Sequence, residues 1–258
     1  MKLFIVLALT VASASAASLN TIVKFGFPEG RIINGENAER GEAPYMVSLQ
    51  FINHFCGGSL LTPNWILTAG HCTGIYNPIL AVAGIDRLTN SLLGQIRVVT
   101  KQIQHENYEG DVGPNDIGLC FVNESFDLNA WVNVINLPLN SLQDTGVGKV
   151  FGFGNNNSGQ SNQLLRLNAT IISFDDCNDY WPVPPLAESN ICIRKAGTSD
   201  SACSGDSGGP LIRLIDTVAT QVGIVSWGRI PCGQDSAPTV FTAVSHHLPW
   251  IQDQLNSN

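Results

Sequence analysis

The chain has 258 residues, of which 44% are hydrophobic and only 13% are charged. This balance excludes intrinsic disorder, which requires low hydrophobicity and high charge, and it excludes a long coiled coil. The 13 basic residues against 21 acidic ones give a net charge of −8, which argues against a nucleic-acid-binding protein that works by neutralising phosphates.

The first segment predicts a secretory signal peptide. Met1 and Lys2 precede an apolar run over residues 3–11, and small residues follow as far as Ala16. This layout is typical of a cleaved leader, and the run is too short to span a membrane. A buried N-terminal strand is the alternative, but it would not need so many small residues after it. We place cleavage after Ala16, with Ala14 as the other choice, and expect a secreted, extracellular protein without a membrane partner whose cysteines can pair.

The rest of the chain predicts an all-β protein, because short β-type runs alternate with Gly, Pro and Asn clusters. The predicted strands cover residues 46–51, 65–68, 96–104, 118–122, 149–153, 165–173, 210–214, 220–225 and 239–244. Only residues 245–255 have helical spacing, with Leu248, Ile251 and Leu255 on one face. A shift in composition near residues 140–148 predicts a seam between two halves.

Three short segments carry residues suited to acyl transfer. His71 ends an apolar run, Asp116 precedes another, and Ser207 lies in the turn Gly205-Asp206-Ser207-Gly208-Gly209-Pro210. Each alone has a structural explanation, as a structural histidine, a strand-capping acid and a tight turn. Together they form a functional set, because a serine needs an imidazole to take its proton and the imidazole needs a buried carboxylate to fix its tautomer. The glycines let the N–H groups of Gly205 and Ser207 converge where an oxyanion would form.

In this order and spacing the motifs resemble the chymotrypsin family of serine proteases (the trypsin-like S1 family), in particular its insect and crustacean digestive members. The resemblance covers Ile32 to Asn258 and implies two antiparallel six-stranded β-barrels with a short C-terminal helix. It divides the chain into a signal peptide (1–16), an activation propeptide (17–31) and a peptidase S1 domain (32–258). Within that domain we expect an N-terminal barrel over about 32–140, a C-terminal barrel over about 141–245 and a helix over about 245–255.

The resemblance makes His71 the general base, Asp116 the group that orients it and Ser207 the nucleophile, with an oxyanion hole formed by Gly205 and Ser207. Ser226, in Val225-Ser226-Trp227-Gly228, matches the serine that hydrogen-bonds the buried aspartate and lines the substrate cleft. The implied partners are protein or peptide substrates and protein inhibitors of proteases, with no cofactor, no metal and no nucleic acid.

Arg31-Ile32-Ile33-Asn34-Gly35 resembles the family's activation junction, where a trypsin-like protease cleaves after the basic residue. The new amine of Ile32 would then pair with Asp206 and lock the turn around the nucleophile. This is physically reasonable, because a buried carboxylate without a cation is costly. The alternative is that Arg31 is an ordinary residue of a surface loop. Residues 17–31 contain no cysteine, so a cleaved propeptide would be lost.

The seven cysteines leave one without a partner in the family's pairing. The resemblance implies the disulfides Cys56–Cys72, Cys177–Cys192 and Cys203–Cys232. Cys120 remains, and we expect it to be a buried free thiol. An intermolecular disulfide or a reactive thiol is the alternative.

The resemblance also predicts the substrate pocket, whose floor lies two residues before the cysteine that precedes Ser207. Counting back from Cys203 gives Ser201, a neutral floor; a shift of one residue would place Asp200 there, and Asp235 is a second acid that could approach. The pocket would be completed by Ser226, Trp227, Gly228 and Thr239, with Trp181 behind it. Thr239 should shorten the slot and favour Leu, Met, Phe or Tyr over Trp. Chymotrypsin-like specificity is therefore expected first, and elastase-like or broad collagenolytic specificity second.

Other features are less informative. Residues 84–94, which match the calcium loop of vertebrate trypsins, offer only Asp86, so no calcium requirement is expected. His246 and His247 are expected at the surface start of the last helix. Two other roles compete with a digestive endopeptidase in the gut lumen. A non-catalytic protease homologue that binds partners would usually lack one of the three catalytic residues, and a cascade or toxin protease would often carry extra modules.

Overall fold

A computed structural model describes residues 25–26, 32–110, 112–139, 145–156, 159–182, 186–194 and 197–257. The side chains of residues 25–26, 155–156 and 159–160 are not included in the description. The predicted leader, its cleavage site and most of the predicted propeptide, including Arg31, lie outside the described residues.

Sixteen strands and two α-helices occur in the described part of the chain. The strands are β1 (Phe25–Gly26), β2 (Glu36–Asn37), β3 (Met46–Gln50), β4 (His54–Leu60), β5 (Trp65–Thr68), β6 (Ile79–Ala83), β7 (Gln95–Gln104), β8 (Gly118–Val122), β9 (Gly146–Gly152), β10 (Asn155–Asn156), β11 (Gly159–Gln160), β12 (Leu165–Ile172), β13 (Asn190–Arg194), β14 (Pro210–Ile215), β15 (Val218–Arg229) and β16 (Thr239–Ala243). The helices are α1 (Phe174–Tyr180) and α2 (Leu248–Ser257).

The first barrel closes in the order β3-β4-β5-β8-β7-β6, and all its pairings are antiparallel. Its core is a cluster of buried apolar side chains that includes Leu49, Ile66, Leu67 and Leu119. All four residues of β5 are buried, so both faces of this strand are covered. The apolar run that ends at His71 is therefore an interior strand.

The second barrel contains β15, β14, β9, β12, β13 and β16 in that order, and the pairing of β15 with β16 closes it. Along β12 buried and exposed residues alternate, as expected for a strand with one face in a core. Two short strands add to this barrel, β2 against β12 and β1 against β15. The chain therefore has the expected all-β fold of two six-stranded antiparallel barrels.

Seven strands and one helix of the described part were not predicted; the strands are β1, β2, β4, β6, β10, β11 and β13. Four of them (β1, β2, β10 and β11) have two residues each, and β4 contains the adjacent glycines Gly57 and Gly58, which weaken its β-type pattern. The expectation that only the last segment is helical was wrong, because α1 spans Phe174–Tyr180. Seven residues are too few for a helical period, but its cap was readable: the Ser173 hydroxyl accepts from the backbone N–H of Asp176 at 3.1 Å.

The final helix and the seam also differ in detail from the prediction. A 3-10 turn, Val244–His247, precedes α2 at Leu248, which places the α-helix about one turn later than expected. The last strand of the first barrel ends at Val122 and the first of the second begins at Gly146. Residues 140–144, within the predicted seam, lie outside the described residues.

Three disulfides join Cys56 to Cys72, Cys177 to Cys192 and Cys203 to Cys232, the same pairs that the resemblance implies. Cys120, in β8, is a buried free thiol, and burial raises its pKa to about 12. Among the described residues, no helix has the length and apolar character needed to cross a membrane.

Candidate active site

His71 and Asp116 meet at the ends of two neighbouring strands. His71 lies in the 3-10 turn Gly70–Cys72 after β5, and Asp116 precedes β8, which pairs with β5. Asp116 Oδ2 accepts a hydrogen bond from His71 Nδ1 at 2.8 Å, and Oδ1 accepts one from the His71 backbone N–H at 2.9 Å. Because an ionised carboxylate can only accept, the proton lies on Nδ1 and Nε2 is the basic nitrogen of the ring.

Asp116 is fully buried, and the second barrel completes its surroundings. Ser226 Oγ, in β15, donates to Oδ2 at 2.6 Å, and Thr242 Oγ1, in β16, donates to the Asp116 backbone carbonyl at 2.8 Å. The carboxylate therefore accepts bonds from a ring N–H, a backbone N–H and a hydroxyl, which together offset the cost of burying its charge. Thr242 was not singled out from the sequence.

Ser207 lies in the turn that leads into β14. Backbone bonds from Asp206 N–H to Cys203 O (2.9 Å) and from Gly209 N–H to Asp206 O (2.8 Å) close this turn. Gly205 and Gly208 have φ values of 86° and 77°, in the left-handed region that favours glycine. A side chain at Gly208 has no room, because its Cβ would lie 3.1 Å from the backbone nitrogen of Ala69. The turn that holds Ser207 thus packs directly against the segment that leads to His71.

A second contact fixes the Ser207 turn to the first barrel. The N–H of Gly57, in β4, donates to the backbone carbonyl of Ser207 at 2.8 Å. Ser207 itself is nearly buried. The turn that holds Ser207 therefore lies at the seam beside the segment that leads to His71, with His71 and Asp116 supplied by the first barrel and Ser207 by the second.

His54, which sequence reasoning missed, supports the same turn from behind. Its Nε2 lies 2.7 Å from the carbonyl oxygen of Gly205, and its Nδ1 lies 2.8 Å from Ser48 Oγ. Burial lowers the pKa of His54 to about 4, so the ring is neutral. Because a carbonyl only accepts, Nε2 donates to Gly205 and Nδ1 accepts from the Ser48 hydroxyl. The only signal in the sequence was a histidine two residues before Cys56, which is too weak to identify this role.

Asp206 is also fully buried, next to Ser207. Its Oδ1 accepts from the N–H of Gly154 and its Oδ2 from the N–H of Cys203, both at 2.9 Å. Desolvation outweighs these two bonds and raises the pKa of Asp206 to about 7. A Cβ at Gly152 or Gly154 would collide with this carboxyl group, so the two glycines make the space that it occupies.

Ile32 is buried in the core of the second barrel, and the N–H of the next residue, Ile33, donates to Ser201 O at 2.7 Å. The start of the predicted peptidase domain is thus attached to the loop that leads to Asp206. Arg31, the other residue of the predicted activation junction, lies outside the described residues.

Ser201 and Thr239 lie side by side in the second barrel. Both are buried, and their hydroxyl oxygens are 3.1 Å apart. An ideal Cβ built on Gly228 would lie 4.0 Å from Thr239 Cγ2, so the Thr239 methyl group faces Gly228. Trp227 and Trp181 pack edge to face behind these residues, with ring centroids 5.3 Å apart. The predicted pocket residues are therefore neighbours.

The two acids that could have changed the pocket's charge face other groups. Asp200 Oδ1 accepts from Asn34 Nδ2 at 2.9 Å, on the side of the N-terminal segment. Asp235 is 74% exposed and pairs with Arg229 at 2.6 Å. The Arg229 guanidinium also lies over the Trp181 ring, 5.7 Å from its centroid. The charge of Asp235 is thus paired with a cation that lies close to the indole behind the pocket residues.

One group of three potential metal ligands occurs among the described residues, Cys56, His71 and Cys72, and its two cysteine sulfurs are joined in a disulfide. The expectation that His247 lies at the surface was wrong: it is buried, and its Nε2 lies 3.2 Å from Asn115 Oδ1. It therefore packs beside the residue that precedes Asp116.

Comparisons with known proteins extend over nearly the whole chain. A family model described as Trypsin matches residues 32–251. The chain is 47% identical over 270 residues to lectizyme from Glossina austeni, covering 100% of this chain and 98% of that protein. It is 36% identical over 235 residues to trypsin-1 from Astacus astacus, covering 86% and 98%. It is 35% identical over 238 residues to chymotrypsin from Phaedon cochleariae, covering 87% and 82%.

Proposed function

Because the chain belongs to the trypsin family of serine proteases, we propose that it is a secreted endopeptidase, made as an inactive precursor, that cleaves after apolar and aromatic residues. The observation that supports catalysis most directly is the bond from His71 Nδ1 to the buried Asp116 carboxylate at 2.8 Å. This bond directs the basic nitrogen of the ring, Nε2, to proton transfer.

The reaction follows from these groups. His71 Nε2 takes the proton of Ser207 Oγ as the hydroxyl attacks the scissile carbonyl carbon. The N–H groups of Gly205 and Ser207 stabilise the negative oxygen of the tetrahedral intermediate, and Asp116 stabilises the imidazolium. His71 then protonates the leaving amine, and the acyl-enzyme is hydrolysed by water that His71 activates in the same way.

Activation would act on Asp206. A carboxyl group that is buried with two backbone donors and a pKa raised to about 7 is poorly stabilised as an anion. Cleavage after Arg31 would give Ile32 a positively charged amine near the loop that carries Asp206. An ion pair there would favour the charged carboxylate and hold the turn that presents the N–H groups of Gly205 and Ser207.

The uncleaved segment could also block the cleft. Phe25 and Gly26 pair antiparallel with Arg229 and Gly228, beside the pocket. An extended peptide substrate would use this same edge of β15, because a free strand edge next to a pocket accepts a further strand. Removal of residues 17–31 would expose that edge at the moment when Ile32 gains its amine.

Specificity rests on Ser201 and Thr239. Two hydroxyls 3.1 Å apart make a neutral, mildly polar floor that offers no charge to a lysine or arginine side chain. The Thr239 methyl group facing Gly228 shortens the slot, which favours Leu, Met, Phe and Tyr over Trp. Relatives named trypsin and chymotrypsin both match the chain, so these pocket residues are the basis for the choice. Elastase-like cleavage after smaller residues is the second candidate, favoured by the same Thr239.

The test is to express the precursor, cleave it with trypsin, remove the trypsin and profile cleavage in a peptide library. We expect cleavage after Leu, Met, Phe and Tyr, and none by a Ser207→Ala variant prepared in parallel. In Thr239→Gly, the preference for Trp over Leu should rise by about tenfold or more, because added depth in an apolar pocket is worth roughly 1–3 kcal/mol. Preference for Arg or Lys would contradict the neutral floor, and cleavage that does not depend on Ser207 would contradict the catalytic assignment.

A non-catalytic homologue that binds partners is the competing class. It would show no Ser207-dependent hydrolysis after correct activation, although it would fold normally. The presence of His71, Asp116 and Ser207 at one seam argues against it.

A further inference from the structure

A cleft of about 500 Å³ lies on the second barrel away from the candidate catalytic residues. Its walls come from the outer faces of β9, β12 and β14 and from the segment that precedes β3. The volume is within the range of small-ligand sites, roughly 300–1,000 Å³. None of His71, Asp116 or Ser207 lines it, so its occupant has to be sought outside the peptidase reaction.

Asn168 lies on the wall of this cleft and begins the sequence Asn168-Ala169-Thr170, an acceptor motif for N-glycosylation. Along β12 the residues Leu167 and Ala169 are buried, whereas Asn168 and Thr170 are exposed. Residues two apart in a strand share a face, so the amide and the hydroxyl of the motif point to solvent together. The fold therefore accommodates a sugar on Asn168 without disturbing the barrel core.

Tyr45 gives the cleft an unused polar group. Its side chain lines the cleft and is 4% exposed, yet no hydrogen bond of its hydroxyl occurs among the described residues. Burial and the nearby charge of Glu42 raise the pKa of Tyr45 well above its usual range, so the hydroxyl keeps its proton. The hydroxyl is thus available to donate a hydrogen bond to a ligand in the cleft that carries hydroxyl or amide groups.

The rest of the lining has the mixed character that suits a sugar ring. Val147 and Leu214 are 71% and 72% exposed, and together they offer an apolar surface to the C–H face of a pyranose. Lys149 Nζ and Glu42 Oε1, paired at 2.8 Å, provide a donor and an acceptor. Lys149 is opposite Asn168 in the pairing of β9 with β12, so this polar pair begins one strand away from the attachment point.

We infer that Asn168 carries an N-linked glycan whose first N-acetylglucosamine packs in this cleft, against Val147 and Leu214, with a hydrogen bond to the Tyr45 hydroxyl. A sugar attached to the cleft wall loses little translational freedom on binding, because its local concentration there is high. This inference rests on the proposed function in one respect only: the chain must enter the secretory pathway.

Occupancy is tested by secreting the full chain from cells that make high-mannose glycans. In a variant with Asn123→Gln and Asn156→Gln, Asn168 is the one remaining acceptor motif, and we expect the mass of one glycan, lost on further change of Asn168 to Gln. Asn123 is the matched control: it is exposed in another acceptor motif but does not line the cleft. A secreted variant without a glycan at Asn168 would overturn the inference.

Packing is tested by thermal unfolding of single variants of the full chain, which keeps its other acceptor motifs and carries Ser207→Ala to prevent self-digestion. Asn168→Gln should lower Tm by about 2–4 °C, and Asn123→Gln should leave it within 1 °C. Trimming the glycan to its first sugar with an endoglycosidase should not lower Tm as Asn168→Gln does, because the sugar that packs in the cleft is retained. Tyr45→Phe should lower Tm in the protein glycosylated at Asn168 and have a smaller effect in Asn168→Gln. Equal effects of Tyr45→Phe in both backgrounds would show that the sugar does not occupy the cleft.

The peptidase assay, run on Ser207-containing preparations, separates this inference from the proposed function. An active protease without the Asn168 glycan overturns the glycan alone. A glycosylated chain without Ser207-dependent hydrolysis overturns the catalytic proposal and leaves the glycan in place.

Discussion

Two aspartates, one presented by each barrel, are fully buried, yet their surroundings differ. Asp116, from the first barrel, accepts bonds from a histidine ring, a backbone N–H and the Ser226 hydroxyl. Asp206, in the second, accepts from two backbone N–H groups, and the pKa of its carboxyl group is raised to about 7. One carboxylate is well stabilised within the folded chain, whereas the other is not.

This difference assigns a separate task to each barrel. The groups that accept and deliver protons are assembled by folding alone, because every bond to Asp116 comes from a described residue. Asp206, by contrast, accepts hydrogen bonds only from two backbone N–H groups among the described residues. Under the proposed activation, cleavage of the precursor would act on this second carboxylate and its turn, and would leave the bonds to Asp116 unchanged.

The largest expected effect comes from breaking the first carboxylate site. In activated Asp116→Asn, we expect kcat to fall about 10⁴-fold, because an amide N–H that donates to His71 Nδ1 leaves the ring proton on Nε2, where it blocks proton transfer from Ser207. The fold should persist, as measured by circular dichroism and Tm. A loss below tenfold in steady-state hydrolysis of a peptide ester would contradict the role of Asp116.

Removing the proposed partner of Asp206 should reduce activity less than Asp116→Asn does. In mature Ile32→Gly, we expect kcat/KM to fall about 10²–10³-fold, the loss typical when oxyanion-hole donors are removed, because a glycine terminus lacks the side chain that anchors the amine. Ile32→Val, which retains most of that anchor, is the matched control and should stay within about tenfold of the parent. Full activity of the glycine variant would show that Asp206 needs no terminal partner.

His54 hydrogen-bonds the carbonyl of Gly205, a residue of the proposed oxyanion hole. We expect its removal to reduce activity less than Ile32→Gly does. In His54→Ala the Gly205 carbonyl loses its 2.7 Å partner, and we expect kcat to fall about tenfold with KM little changed. His54→Gln can again offer an N–H to that carbonyl and should recover part of kcat. Equal losses in both variants, tracking equal losses of Tm, would indicate a packing role instead.

The last prediction concerns the pH dependence of stability rather than activity. In the precursor, the folded pKa of Asp206 (about 7) lies above its ordinary value of 3.8, so the folded state binds this proton more tightly than the unfolded state. The stabilisation is complete below about pH 4 and is lost as the pH rises towards 7, by up to about 4 kcal/mol.

The measurement is urea unfolding of the Ser207→Ala precursor at several pH values, compared with the same chain carrying Asp206→Asn. The difference between the two curves isolates Asp206. It should shrink or reverse after cleavage at Arg31, when a cation favours the charged carboxylate. A difference that does not change with pH would mean that Asp206 already has a cation in the precursor.

The candidate site was more predictable from the sequence than its supports. His71, Asp116 and Ser207 stand in motifs whose chemistry is local, so their association could be inferred without coordinates. His54 and Thr242 act through single bonds to a backbone carbonyl across long sequence separations, and neither has a local motif. Such contacts depend on how the barrels close, which no local pattern encodes.

The strands, too, were predictable only where a local sequence pattern marks them. Strands with continuous or alternating apolar residues, such as β5, β8 and β12, were predicted closely, because their patterns reflect burial on one or both faces. Strand β4 was missed because Gly57 and Gly58 interrupt its pattern, although the close approach of the Ser207 turn requires small residues there: a Cβ on Gly57 would lie 3.0 Å from Gly209 Cα. The two glycines that allow close packing at the seam therefore also weaken the sequence pattern from which β4 could have been predicted.

Cys120 provides a chemical reporter within this architecture. Six of the seven cysteines form three disulfides, and the remaining thiol, Cys120, is buried in β8 four residues after Asp116. A thiol-specific dye can reach it only when the first barrel opens, because both burial and a pKa near 12 suppress reaction in the closed state. The rate of dye incorporation at Cys120 therefore measures the opening of the barrel that holds the proton-transfer groups, with no engineered label.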